Sequence, residues 1–198
     1  MPQVVPAQVA AALKEVFAEA DRYFDESPDR LRSRPDCPAG WSVAEHLEHL
    51  RLVNHFLLLT IGKGCQKALK RAVRQPIPEF ESDLTALAPI ADPAAFEWLP
   101  PKHMLPGPVG DLWELRAALY SQLGHCLELL ESIREGEGRL CTISMSVHRL
   151  GRLDMYQWLY FLAQHVRYHL NLLDRRRRED EAPRRGRETR APSWGRRT

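Results

Sequence analysis

Between Trp158 and Leu172 the residues that would face a core recur at spacings of four, three, four and three: Trp158, Leu162, His165, His169 and Leu172. That period belongs to an α-helix with one buried stripe. Two of the positions are histidines one helical turn apart, so whatever packs on this helix must accommodate two neighbouring imidazoles. A neutral imidazole carries one donor and one acceptor nitrogen, and burying either without a partner costs free energy. The stripe therefore requires polar groups on a facing element, or an ion held between the rings.

Three further segments carry a helical period. In residues 6–25, Val9, Leu13, Val16, Phe17 and Ala20 line one face. A second helix opens at "SVAE", where Ser42 and Glu45 can cap each other's backbone amides. Its apolar residues are Val43, Leu47, Leu50, Val53, Leu57 and Leu58, and "GKG" at 62–64 predicts a break or kink before "CQKALKRAV" resumes it. A third opens at "DLWE", with Asp111 as cap, and carries Leu112, Leu115, Leu119, Leu123, Leu127 and Leu130 to a stop near "EGEG". The His165 helix opens at "DMYQ", where Gln157 takes the reciprocal capping role toward Asp154.

The connections are uneven. "SPDRLRSRPDCPAGW" reads as a linker. Residues 75–108 are Pro-rich without a sustained period, which predicts a segment lying over the surface with a short helix around residues 79–87. "RLCTISMSVHRLGRL" reads as an irregular or weakly extended connector. With four amphipathic helices and no strong strand alternation, the expectation is an all-α four-helix bundle over residues 1–174.

The formal charge of +2 hides an asymmetry, because residues 175–198 hold ten arginines against four acidic residues. A mildly acidic body is followed by a basic tail poor in apolar residues, which is expected to be disordered. Of Cys37, Cys65, Cys126 and Cys141, none forms a C-x-x-C pair, which removes support for a zinc ribbon or a thioredoxin-type motif. "MPQVVPAQVA" lacks the features of a signal peptide, and no apolar run reaches the length of a membrane span. The expectation is a cytoplasmic protein with reduced thiols and no membrane partner.

Two imidazoles on one helix need a third ligand from elsewhere to make a firm metal site. The second helix offers "EHLEH": His46 near the middle of its apolar arc, and His49 toward the edge, beside Val53 and Phe56. Either can reach an interior; His55 should point outward. Glu45 is committed to its cap, and Glu48 should face solvent. Gln164 and Tyr168 flank the pair and could orient it, although packing is their simpler role. His125 and Cys126 are adjacent, cannot share a helix face, and read as structural. Trp41 and Trp113, near helix starts, read as core anchors.

"GWSVAEHLEHL" and "HRLGRLDMYQWLYFLAQHVRYHLNLL", in this order and spacing, resemble the DinB-like family, over roughly residues 7–173. The resemblance implies an up-down-down-up four-helix bundle and a three-histidine site for a divalent metal, with water in the open positions. Residue by residue, the implied ligands are His49, His165 and His169, with His46 as the alternative on the second helix. The family often has Glu where this chain has Gln157, a capping difference. The segment 75–108 and the basic tail are further departures.

Three neutral nitrogen ligands suit Zn, Ni or Fe better than Mg or Ca, with Zn or Ni the expected metal. Three protein ligands leave a coordination position open, as in catalytic zinc sites. The resemblance thus implies a metal-dependent enzyme that activates a thiol or water, of the thiol S-transferase or hydrolase type. Its partner would be a small-molecule substrate, with a low-molecular-weight thiol such as mycothiol or bacillithiol among the candidates. It also implies a homodimer. The alternatives are a non-catalytic stress-response or dimerisation bundle with a structural metal or none, and a nucleic-acid binder acting through the tail. The tail has only Trp194 among its arginines, so nucleic acid is the less favoured partner.

Overall fold

A computed structural model describes residues 4–35, 40–95, 100–145 and 150–181. Among these the chain is mostly helical, with one small sheet. Helix α1 (Val4–Asp21) buries Val9, Leu13, Val16, Phe17 and Ala20, the stripe read from the sequence, and ends in a 3-10 turn, Arg22–Asp25. The linker holds a short helix, α2 (Pro28–Arg32), capped by the Ser27 hydroxyl and opened by Pro28 at a position where no amide proton is needed. It buries Leu31.

Helix α3 (Val43–Ala72) carries the expected reciprocal cap. The Glu45 amide donates to the Ser42 hydroxyl at 3.2 Å, and the Ser42 amide donates to Oε2 of Glu45 at 2.7 Å. The break expected at residues 62–64 does not occur; the helix runs through. Gly64 is there for space: a Cβ at this position would lie 2.0 Å from Sδ of Met155. Gly62 faces nothing within 4 Å.

Helix α4 (Leu112–Ser132) starts at the Asp111 carboxylate, which accepts from the amides of Trp113 and Glu114. Gly136, at φ 108°, turns the chain into a 3-10 segment, Glu137–Leu140. The connector expected to be irregular then forms an antiparallel hairpin, β1 (Thr142–Met145) on β2 (Gly151–Asp154), in the register Thr142–Asp154 to Met145–Gly151. Four residues a strand are too few for alternation to be read. β2 delivers Asp154 to the start of helix α5 (Met155–Glu181), where Asp154 and Gln157 exchange amide hydrogen bonds at 3.0 Å each.

The described residues between α3 and α4 are mostly exposed, but the segment is anchored by buried side chains. Leu84, Leu87 and Ile90 are buried, the last two within a 3-10 turn, Thr85–Ala91, that packs on α5. The turn lies later than the helix expected at 79–87, and Pro89 suits a short 3-10 turn better than a longer α-helix. Three side chains fasten the segment: Ser82 donates to Asp154 at 2.5 Å, Gln157 to the Asp83 carbonyl at 2.7 Å, and Asn171 to the Ala91 carbonyl at 2.8 Å.

Residues 175–181, expected to belong to the tail, are helical. They continue α5, because arginine is a good helix former and favourable near a helix C-terminus. Arg175 pairs with Glu179 at 3.0 Å, and Arg178 donates to the Asp174 carbonyl. Residues 182–198 lie outside the described residues, as does the tail's expected disorder.

The long helices meet around one core. α1 packs on α5 and α4, and α3 packs on α4 and α5. Polar contacts mark the levels: Arg167 pairs with Glu15 and Glu19 and Tyr23 donates to Asp174, joining α1 and the turn after it to α5. Arg116 grips Asp21 through two hydrogen bonds of 2.7 Å. Asn54 meets Gln122, and farther along Arg71 donates to the Leu140 carbonyl at 2.6 Å. No helix among the described residues is long and apolar enough to cross a membrane.

Candidate metal centre

His49 lies on α3 one turn after the capping box, and His165 and His169 lie on the face of α5 that meets it. All three side chains are buried, at 3%, 4% and 4% exposure, so they do not sit at a hydrated surface. One ring nitrogen from each lies within 4.8 Å of the other two, and the group could hold a metal ion. The ring centroids are 4.7 Å apart for His49 and His169, 4.8 Å for His165 and His169, and 5.4 Å for His49 and His165.

The surroundings fix which nitrogens face inward. Nδ1 of His49 lies 2.7 Å from the Met104 carbonyl, an acceptor only, so Nδ1 carries the proton and Nε2 keeps its lone pair. Nδ1 of His169 lies 3.0 Å from Nδ1 of His46, and Nε2 of His169 is buried with no hydrogen-bond partner among the described residues. A buried ring nitrogen without a partner inside a cluster of imidazoles is a group that a bound cation would satisfy.

Charge points the same way. Burial pushes His165 down to about 3, with His49 adding to the shift. Burial lowers His169 well below the ordinary range, helped by His165, His49 and His46. Burial also lowers His49, against the Met104 hydrogen bond. Neutral imidazoles are the form that ligates metals, so these rings need no deprotonation to bind one.

Trp41 closes one side. Its ring lies 4.9 Å from His49, 5.3 Å from His46 and 6.3 Å from His169, nearly parallel to the last. Arg176 holds this residue in place by donating to the Trp41 carbonyl at 2.9 Å. Tyr168 is buried with its ring edge-on to His169 at 5.2 Å. Trp41 is thus more than a core anchor, whereas Trp113, expected as one too, is 74% exposed.

The carboxylates near the cluster are occupied. Burial raises the Glu45 carboxyl, but Arg34 and the Ser42 amide and hydroxyl outweigh it and hold the group below its usual range. Glu48 does not face open solvent as expected; Arg51 clamps it at 2.6 and 2.8 Å. His55 is exposed, as its spacing implied, and so are His103 and His125. Cys126 is buried in the core. His148 lies outside the described residues.

Sequence reasoning missed the Met104 carbonyl and the contact between His46 and His169. A backbone acceptor from a Pro-rich segment leaves no trace in a side-chain pattern. His46 did leave one, as the first histidine of "EHLEH" on the inner arc.

The family model described as the DinB superfamily matches residues 7–173. No curated protein and no solved structure matches the chain. The matched span begins in α1 and ends in α5 beyond the histidine cluster, and on this ground the chain belongs to the DinB superfamily.

Proposed function

We propose that the chain is a metal-dependent enzyme that binds a divalent metal through His49, His165 and His169 and activates a thiol or water. The observation that carries the reading is the approach of three buried ring nitrogens to within 4.8 Å of one another. The donor set favours Zn or Ni, since neutral imidazoles bind borderline metals better than hard ones. Three protein ligands and an open position match catalytic rather than structural zinc sites. When bound, such a metal lowers the pKa of a water to about 7 or holds a thiolate.

The chain's own residues orient and exclude. The Met104 carbonyl holds His49 with Nε2 inward, Trp41 covers the cluster, and Tyr168 braces His169. Glu45 and Glu48 are held by Arg34 and Arg51, so neither is assigned as a general base. The reaction is of the thiol S-transferase or hydrolase type on a small-molecule substrate, with a low-molecular-weight thiol as co-substrate. The long helices are read as an up-down-down-up bundle. Residue numbers rise together from α1 into the turn after it and along α5, Glu15 with Arg167 and Tyr23 with Asp174, and along α3 and from α4 into residues 137–140, Asn54 with Gln122 and Arg71 with Leu140, which supports that order. A homodimer and a basic tail that is solvated rather than bound to nucleic acid complete the reading.

The test is metal analysis of untagged protein, followed by a screen of the metal-loaded protein with thiols against electrophiles. Near-stoichiometric metal and thiol-dependent turnover are expected. Protein that stays metal-free after incubation with Zn or Ni would overturn the proposal. Metal without turnover, together with unfolding on chelation, would favour a structural metal instead.

A further inference from the structure

We infer that His46 is a positioning residue that holds His169 in the orientation needed for ligation; this rests on the reading of His169 as a ligand. The two Nδ1 atoms lie 3.0 Å apart, a hydrogen-bond distance that requires one proton between them. Nε2 of His169 is the atom without a hydrogen-bond partner among the described residues. If that nitrogen gives its lone pair to a metal, the ring's proton must sit on Nδ1, and His169 then donates to His46. His46 is thereby an acceptor at Nδ1 and carries its own proton on Nε2.

The same logic already holds at His49, whose Nδ1 donates to the Met104 carbonyl. Two ligands therefore each have an outer acceptor, one a backbone carbonyl and one an imidazole. Such partners fix tautomer and ring orientation and raise ligand basicity. His46 suits this role rather than ligation. The ring nitrogens that converge come from His49, His165 and His169, whereas His46 approaches the outer edge of His169. It is itself braced, with its ring 5.3 Å from Trp41, whose carbonyl Arg176 holds.

The experiment compares His46→Phe, which keeps a ring but offers no acceptor, with His46→Asn, whose amide oxygen can stand near the position of Nδ1. Zn and Co(II) affinities are measured by competition with a chromophoric chelator, and the visible spectrum of the Co(II) form is recorded. The Phe variant should bind roughly 10- to 100-fold more weakly, the usual effect of losing such a partner, and its Co(II) bands should shift. The Asn variant should restore both within a few-fold. Wild-type affinity and an unchanged Co(II) spectrum in the Phe variant would overturn the inference. A wild-type protein that binds no metal would instead overturn the three-histidine reading.

A second measurement needs no variant. Long-range proton–nitrogen correlation spectra of the Zn-loaded wild type should show His169 protonated at Nδ1 and His46 protonated at Nε2, with no metal shift on His46. A proton on Nδ1 of His46, or a metal shift on its ring, would refute the assignment even if the Phe variant failed to fold.

Discussion

The side chain of His49 and the backbone of Met104 meet at 2.7 Å, across 55 residues of sequence. This contact ties the orientation of a buried ring on α3 to the segment between α3 and α4. Replacing His103 and Met104 together by glycine, which loosens the backbone without touching a ring of the cluster, should weaken Zn binding several-fold. Competition titration checks this; unchanged affinity would mean that the carbonyl does not orient His49.

His165→Ala should abolish stoichiometric metal binding while leaving the helical circular dichroism in place. In the wild type, metal at 100 times its dissociation constant should raise stability by about 2.7 kcal/mol. That rise should be absent from the variant. Thermal melts with and without Zn measure both, and an equal rise in the two proteins would exclude His165 as a ligand.

The metal-free protein should lose stability in acid earlier than its carboxylates alone would cause. Burial, then His49, holds His165 at about 3 in the folded state, and burial, then His49 and Arg176, holds His46 at about 4. His49 and His169 are lowered too. Once unfolded, each returns to about 6.5 and binds a proton that the folded state refuses. Stability should therefore fall as the pH drops below about 6.5, by up to about 1.4 kcal/mol per pH unit for each such histidine. Urea titrations between pH 7.5 and 5, above the usual carboxylate range, isolate the effect. A flat profile there would contradict the buried neutral cluster.

Ser82→Ala should destabilise the fold by about 1–3 kcal/mol, because it removes the hydroxyl donor from the buried Asp154 carboxylate. Burial raises Asp154, and the Ser82 hydrogen bond is the largest influence holding it down. Hydrogen exchange should speed up around residues 82–91, where the segment is fastened to α5. Uniform exchange changes across the whole chain would argue against a local clasp.

Gly62 and Gly64 should respond oppositely to alanine. Gly62→Ala, facing open space within a helix, should stabilise by about 0.5–1 kcal/mol. Gly64→Ala forces its new methyl toward Met155 and should destabilise by about 1–3 kcal/mol. Denaturant midpoints of the two variants decide it.

These features differ in how far the sequence disclosed them. The stripes of α1 and α5 and the caps at Ser42, Asp111 and Asp154 were readable because each is a local pattern with a local cause. His165 and His169 stood out because polar residues on an apolar stripe require an explanation. The uninterrupted α3 was not readable, since a glycine chosen for close packing looks the same in sequence as one that ends a helix. The burial of Leu84, Leu87 and Ile90 depends on α5, more than 60 residues farther on, and no local period reports it. Within the cluster, residue types were legible, but the pairing of His46 with His169 needed the two helices side by side.

The contact at Gly64 has a consequence for the far end of the same helix pair. α3 meets α5 there against Met155, and again where His49 faces His165 and His169. At about 1.5 Å per residue the two levels are about 22 Å apart along α3. Gly64 sets how closely the two helices approach at the first level. If the histidines at the second hold an ion, a bulkier residue at 64 that pushes the helices apart would alter their spacing from a position that never touches it.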